Sequence, residues 1–509
     1  MTGTLGDWCF RHRRTVFLGW LLVVVAGVVA GSQVFGRLDT GRGGASSMES
    51  LQGYAVLDAA AEYGDQVVVL VDGAEVAAPA TRAAVTAAAD AARAVPGVGR
   101  VVTTYDAPQA GLAATDGLAQ LIMVDLDKGP AKGARDAALA AVEKTFDALE
   151  TALPGSTVRF GGSLLVFREV NEQVERDTRK GELLSLPVVL VVLVLIFGGL
   201  LAASLPLAGA VGAVTGTFAA LFAFTFLMEL NANVVSVGTV LALGLGIDYA
   251  LLLVSRFREE RGHGLDVQAA AHRMSATAGR TILFSGLTVA TSLAGLFLFE
   301  SVIYRAIAAA GVTVVVLSML AALTLVPALL GVFGHRITAP TEPVSEDGVF
   351  ARLARRVQRH PWAVVVSLLT VFLVVGFPFL RVQLGEAGAK LLPRSFESRQ
   401  VADAIDTRFG DRGLDPVVVV ARTDPAALTA YAGEIAGRDD VGSVGPVTEL
   451  ADGYVSVDVR PTSAEGAQDL VRDLRADDPG FETWVTGADA LLVDFTDEIA
   501  TRGPWALAF

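Results

Sequence analysis

The 509-residue sequence is poor in cysteine and histidine, and each scarcity narrows the range of functions. The single cysteine, Cys9, excludes an intramolecular disulfide framework, so domains outside the cytoplasm must rely on their own cores. The five histidines are scattered, and no glycine-rich loop ends in Lys-Ser or Lys-Thr, the signature of a nucleotide phosphate site. We therefore expect no metal site, no cofactor, no bound nucleotide as energy source and no enzymatic activity.

Charge is also scarce. Charged residues form 18% of the chain and hydrophobic residues 52%, and yet the formal net charge is −14. Long apolar stretches account for the hydrophobic excess, so water-exposed segments must carry the acid. An acidic surface argues against nucleic acid as a partner. The composition predicts a membrane protein with large soluble parts.

Long apolar runs predict a polytopic α-helical membrane protein. The first run follows three arginines and belongs to an N-terminal segment, 1–36. It could be a cleaved signal peptide, but a length of about 20 residues favours an uncleaved span. Six further runs give seven predicted spans in total; they lie at 183–201, 207–228, 234–254, 282–299, 306–332 and 361–380.

Arginine distribution predicts the orientation of these spans. With a cytoplasmic N-terminus, the short cytoplasmic segments hold 13 arginines, whereas the short outer loops hold one, Arg305. The positive-inside rule favours this orientation. We therefore expect a multi-pass protein of the cell membrane with a bundle at 183–334 and a cytoplasmic linker at 335–360. The long segments 37–182 and 381–503 then lie outside.

The two outer segments share one pattern of predicted elements. Alternating apolar runs and alanine-rich helices give the order β-α-β-β-α-β in each, which is typical of a ferredoxin-like α+β domain. Another α+β arrangement of the same elements stays open. A glycine turn at Gly161-Gly162 is echoed at Gly487, and Arg11-His12 is echoed by Arg359-His360. This duplication predicts that residues 504–509 begin an eighth span.

Asp248 is the one carboxylate within the predicted span 234–254. A charged side chain at bilayer depth costs roughly 2.5–3.5 kcal/mol on insertion scales, so such a residue indicates a proton or ion relay. Tyr249 follows it about 100° around the helix, and both side chains could reach one crowded bundle interior. Gly244 and Gly246 would let another helix approach closely. The alternative is a structural aspartate that hydrogen-bonds across helices.

The span 282–299 offers hydroxyls that could support such a relay. Ser285, Thr288 and Ser292 share one helical face, where they could pass a proton or hold a water. The alternative is ordinary hydrogen bonding, either between helices or to the carbonyl four residues earlier. Sequence alone does not separate these interpretations.

Four strings carry a resemblance to a known family. They are Gly246-Ile-Asp-Tyr249, Ser255-Arg-Phe-Arg-Glu-Glu260, Gly279–Thr288 and Phe197-Gly-Gly-Leu200. Together with the order of spans and outer domains, they resemble the MMPL (mycobacterial membrane protein, large) branch of the resistance–nodulation–division transporters.

That resemblance implies export of lipids or other hydrophobic compounds, driven by the proton-motive force, through two porter-type domains. It assigns Asp248 and Tyr249 to one half of a proton relay. Family members are expected to have twelve spans, so spans eight to twelve and the second half of the relay would lie beyond residue 509. We expect the chain alone to insert and fold without exporting. A homo-oligomer of two copies is the other way to supply both halves.

Two other functions were weighed. An intramembrane aspartyl protease needs two facing carboxylates, and Asp248 stands alone in its span. A non-transporting accessory subunit, either SecD/SecF-like or a sterol-sensing-like module, stays as the alternative to a transporter.

Overall fold

The computed structural model describes residues 2–34, 48–129, 132–227, 230, 233–337, 349–378, 388–409, 416–463 and 466–509. Residues 338–348 of the predicted linker therefore lie outside the described residues. In chain order the helices of the first part are α1 (Thr2–Arg11), α2 (Arg13–Val34), α3 (Glu49–Ala60), α4 (Pro79–Arg93), α5 (Lys132–Ala152), α6 (Ser163–Phe197), α7 (Leu200–Phe224) and α8 (Asn233–Gly262). The remaining helices are α9 (Val267–Ala294), α10 (Val302–Leu320), α11 (Val326–Phe333), α12 (Val349–Arg359), α13 (Pro361–Gly376), α14 (Glu397–Arg408), α15 (Pro425–Ile435), α16 (Ala467–Ala476) and α17 (Ala488–Ala508).

The strands fall into two sets that match the two outer segments. The first set is β1 (Tyr63–Asp72), β2 (Val98–Val102), β3 (Ala119–Asp127) and β4 (Thr157–Gly161). The second set is β5 (Val417–Arg422), β6 (Val441–Val444), β7 (Thr448–Glu449), β8 (Tyr454–Pro461) and β9 (Thr483–Thr486). The chain divides into two compact units. One comprises Met1–Ser46, Lys180–Leu384 and Glu498–Phe509, and the other comprises Ser47–Arg179 and Gly385–Asp497.

The first unit is a helical bundle. Within the described residues, six helices are long and apolar enough to cross a membrane, and a seventh span is obtained if the bent pair α12–α13 is counted as one. Residues 202–206, which separate the predicted spans 183–201 and 207–228, lie instead inside α7, and the break between α6 and α7 is at Gly198-Gly199. Gly198 has φ +63°, a left-handed conformation that glycine adopts without strain. Pro206 is accommodated within α7, as proline often is in membrane helices.

The second unit contains two antiparallel sheets with equivalent strand orders, β2-β3-β1-β4 and β6-β8-β5-β9, and β7 pairs with β8. The central strands occupy equivalent positions, since Val69 pairs with Ile122 and Phe160, and Val419 pairs with Val457 and Val485. The predicted element order is present in both segments, with β7 as an additional strand in the second.

Equivalent glycines follow the last strand of each sheet, Gly162 after β4 and Gly487 after β9. Gly162 has φ +100° and Gly487 has φ +112°, and a Cβ at either position would lie 2.8 Å from a backbone oxygen of the adjacent strand segment. Only glycine fits a left-handed turn pressed so closely against a strand. The repeated turn supports the internal duplication predicted from the sequence.

Each sheet is covered on one face by its own helices and on the other by a helix from the other segment. In β1, the alternate residues Val67, Val69 and Val71 pack in the core beneath α4 and α5. Val68 and Leu70 face the opposite way, where Val401 of α14 and Phe409 share their cluster. The run of apolar residues in β1 thus reflects burial on both faces.

The exchange is reciprocal, because α3 packs against β5 and β9 of the second sheet. The Val485 N–H donates to the Glu49 carboxylate at 2.8 Å, and the Thr486 hydroxyl donates to the Ser50 carbonyl at 2.6 Å. The two sheet-containing segments, predicted as separate domains, therefore form one compact unit.

Candidate functional site

Asp248 lies on the surface of the helical bundle. Its helix, α8, packs against α7, α9 and α10, but the Asp248 side chain is exposed, whereas Tyr249 is only 7% exposed. The expected shared interior position therefore holds for Tyr249 alone. Consecutive residues differ by about 100° around the helix, so Asp248 points outward while Tyr249 points into the bundle.

Tyr249 lies in the apolar core of the bundle with Leu253, Phe257 and Ile282. Its hydroxyl lies close to the Ser285 hydroxyl and the Asp248 carboxylate, but no well-aligned hydrogen bond to it is formed within the described residues. A buried hydroxyl without a partner costs about 1–3 kcal/mol. Of the described side chains, the Ser285 hydroxyl is near enough to satisfy it.

The three hydroxyls predicted on α9 are all exposed, but their bonding differs. Thr288 donates to the Phe284 carbonyl at 2.9 Å, and Ser292 donates to the Thr288 carbonyl at 3.0 Å. These are the bonds to the preceding turn that were the alternative interpretation for this face. Ser285 makes no such bond within the described residues, so it is the best placed of the three to exchange a proton.

The two glycines of α8 have different surroundings. A Cβ at Gly246 would lie 2.7 Å from the Cα of Ala210, so this glycine allows α7 and α8 to approach at backbone distance. A Cβ at Gly244 would meet nothing within 4 Å. Gly244 and Asp248 lie one turn apart on the same exposed face.

Two of the strings that carry the family resemblance meet at the C-terminal end of α8. The Arg258 guanidinium lies 5.5 Å from the centre of the Phe197 ring, beside the Gly198-Gly199 turn. Glu260 is 1% exposed and pairs with Arg256 at 2.6 Å and with Arg273 at 3.4 Å.

Sequence reasoning missed the burial of Glu260. A run of charged residues usually indicates a solvated surface, and the spacing of four residues between Arg256 and Glu260 was the available signal. The pair between Glu260 and Arg273 joins the end of α8 to α9, which also carries Ser285.

A second buried carboxylate was also missed. Glu498 of α17 is 9% exposed, and its carboxylate accepts the Ser301 N–H at 3.0 Å and the Glu300 N–H at 2.5 Å, just before α10 begins. Arg502, one turn later, pairs with the Glu300 carboxylate. No local sequence signal predicts a contact between residues about 200 positions apart. Anionic side chains stabilise helix N-termini, so Glu498 secures α17 to α10.

Comparison with known proteins gives consistent relatives. The MMPL family model matches residues 41–364. The chain is 42% identical over 512 residues to a Streptomyces coelicolor protein described only as a membrane protein; the alignment covers 99% of this chain and 71% of that protein. It is 30% identical over 363 residues to the heme uptake protein MmpL11 of Mycobacterium tuberculosis, covering 66% of this chain and 37% of that protein.

A further relative is the trehalose monomycolate exporter MmpL3 of Mycobacterium tuberculosis. It is 29% identical over 310 residues, covering 53% of this chain and 32% of that protein. The matched region thus spans about a third of the length of these two mycobacterial transporters.

Proposed function

This chain belongs to the MMPL family of membrane transporters, and from that premise we propose that it exports lipids or other hydrophobic compounds by proton coupling at Asp248. The observation that carries the proposal is the one carboxylate within the apolar stretch 234–254 of α8, a helix long enough to cross a membrane. A carboxyl group can be neutral in one step of a transport cycle and charged in the next. Intramembrane acids typically mark such proton pathways.

The exposure of Asp248 indicates where its partner lies. An ionised carboxylate facing lipid would be costly, so the face that carries Asp248, Gly244 and Ser285 must meet another polar surface or a water-filled cleft. Tyr249, buried in the bundle, lies next to the Asp248 carboxylate and could exchange a hydrogen bond with it. We assign Asp248, Tyr249 and Ser285 to the relay, whereas Thr288 and Ser292 have hydroxyls bonded to their own helix.

The proposed orientation follows the arginine distribution, with a cytoplasmic N-terminus and both sheet-containing segments outside the membrane. Strand orders β2-β3-β1-β4 and β6-β8-β5-β9 support a ferredoxin-like, porter-type architecture for segments 37–182 and 381–503. Such domains would receive hydrophobic cargo released from the membrane. MmpL3, named a trehalose monomycolate exporter, favours a lipid as cargo.

The test is Asp248→Asn, which keeps the size of the side chain but cannot titrate. We expect uptake of a fluorescent phospholipid by inverted membrane vesicles, driven by an imposed pH gradient, to fall to background when the vesicles come from cells that produce this variant together with the expected spans eight to twelve. Glu259→Gln is the matched control, because Glu259 is an exposed carboxylate on the same helix beyond the apolar stretch. Undiminished gradient-driven uptake by Asp248→Asn would refute proton coupling at this residue and favour an accessory role.

A further inference from the structure

Helix α12 has two chemically different sides. Arg352, Arg356 and Arg359 fall within an arc of about 60° when each residue advances by about 100°, and Arg355 borders the same arc. Leu353 and Val357 lie one turn apart on the adjacent side. A short helix with arginines on one side and aliphatic residues on the other is typical of segments that lie in a membrane interface.

The aliphatic side of α12 is not covered by the bundle. Leu353 is 57% exposed and Val357 is 39% exposed, and the three arginines are exposed as well. Folding of the described residues thus leaves two aliphatic side chains in contact with the surroundings. In a water-soluble linker, these exposed aliphatic side chains beside the arginine face would be unfavourable.

The direction of α12 relates it to the membrane. It meets α13 at a bend of 96°. Helix α13 carries no charged residue and buries no side chain. If α13 crosses the membrane, as the proposed orientation requires, a helix at right angles to it lies along the cytoplasmic surface. The arginines and the aliphatic residues would then both be at the depth where lipid headgroups meet acyl chains.

We propose that α12 is a binding site for anionic phospholipids of the cytoplasmic leaflet. Leu353 and Val357 enter the acyl region, and Arg352, Arg356 and Arg359 bind the phosphates of the headgroups. Guanidinium groups suit this role, because their planar fork of donors matches phosphate oxygens. An acidic protein or a nucleic acid would satisfy the arginines but would leave the aliphatic side exposed. Continuity with α13 therefore favours the bilayer.

The inference rests on the proposed orientation, and its test uses the whole chain in vesicles. A cysteine replaces Leu353 in a Cys9→Ser background, carries a nitrobenzoxadiazole label, and is quenched by lipids with a nitroxide high on the acyl chain. We expect strong quenching in vesicles that contain phosphatidylglycerol and weak quenching in pure phosphatidylcholine. A label at Gln358, on another side of α12, should be quenched less in both.

Charge is tested separately by replacing Arg352, Arg356 and Arg359 together. Neutralisation by glutamine should weaken the binding of α12 to the membrane surface about fivefold per arginine, or on the order of 100-fold for three. Quenching of the label at position 353 should then no longer depend on phosphatidylglycerol. Replacement by lysine should retain most of it. Equal quenching in both lipids, unchanged by glutamine, would refute the anionic site.

A label at Val366 of α13 separates failure of the site from failure of the orientation. Val366 is 58% exposed and should be quenched in every vesicle. Quenching at Val366 without quenching at Leu353 would refute lipid binding by α12 and favour a protein partner. No quenching at either position would refute the inference together with the span it depends on. Neither result bears on proton coupling at Asp248, which the transport assay tests independently.

Discussion

The contrast between Gly246 and Gly244 gives a prediction whose magnitude follows from the structure. Alanine at either position removes the same glycine flexibility from the same helix, a gain of about 0.5–1 kcal/mol. At Gly246 the new Cβ would lie 2.7 Å from the Ala210 Cα and 3.3 Å from the Ala210 Cβ. At Gly244 it would enter open space. The difference between the two variants therefore isolates the cost of overpacking.

That cost is expected to be about 1–3 kcal/mol, because the obstructing atom belongs to the backbone of α7 and cannot rotate away. Gly246→Ala should lower the midpoint of thermal unfolding in lipid nanodiscs, followed by tryptophan fluorescence, whereas Gly244→Ala should raise it or leave it unchanged. Ala210→Gly should not restore Gly246→Ala fully, since the nearest contact is to Cα and not to Cβ.

Equal stability of the two alanine variants would show that α7 and α8 are not in backbone contact and would refute this packing. Full restoration by Ala210→Gly would place the obstruction at the Ala210 side chain instead. If the packing also positions the relay, Gly246→Ala should reduce gradient-driven uptake while Asp248 is intact. Gly244→Ala should reduce it only if another helix approaches the exposed face.

Two further predictions concern orientation and acid sensitivity. In a Cys9→Ser background, Ala430→Cys should react with a membrane-impermeant thiol reagent on intact cells and His263→Cys should not; the reverse result would overturn the proposed orientation. Burial raises the pKa of Asp106, but hydrogen bonds from Thr103 and the adjacent Arg93 guanidinium together outweigh it and hold that pKa below its ordinary value. The stability that Asp106 contributes is present above the unfolded-state pKa and is lost as pH falls through the lowered folded-state pKa. Asp106→Asn should therefore reduce the loss of stability with falling pH, measured by circular dichroism at a series of acidic pH values. An unchanged pH dependence would contradict this contribution of Asp106.

Sequence patterns predicted part of the candidate relay, and the structure added the rest. The length of the apolar run 234–254 and the one acid within it identify Asp248 without any structure. The hydrogen bonds of Thr288 and Ser292 could not be predicted from the helical face they share. A hydroxyl on a helix can donate either to the carbonyl four residues earlier or to a neighbouring helix. The choice depends on what lies within reach. The structure distinguishes Ser285 from the other two hydroxyls.

The resemblance to the MMPL family, drawn from short strings around Asp248 and Glu260, is confirmed by the family match and by the relative from Streptomyces coelicolor. Those strings are local and therefore readable. Their meeting at the Gly198-Gly199 turn, with Arg258 over Phe197, is a property of the folded bundle.

The sequence by itself determined the apolar helices, the chain order of helices and strands in both segments apart from β7, and the one carboxylate of the apolar run 234–254. Each of these depends on composition and periodicity within a window of about 20 residues or fewer. Tertiary structure decided that α14 covers the first sheet and α3 the second, that Tyr249 faces the core while Asp248 faces outward, and that Glu498 holds the start of α10. The reason is physical: an apolar strand face or a carboxylate can be satisfied by many distant partners, and only the packing of the whole chain selects one.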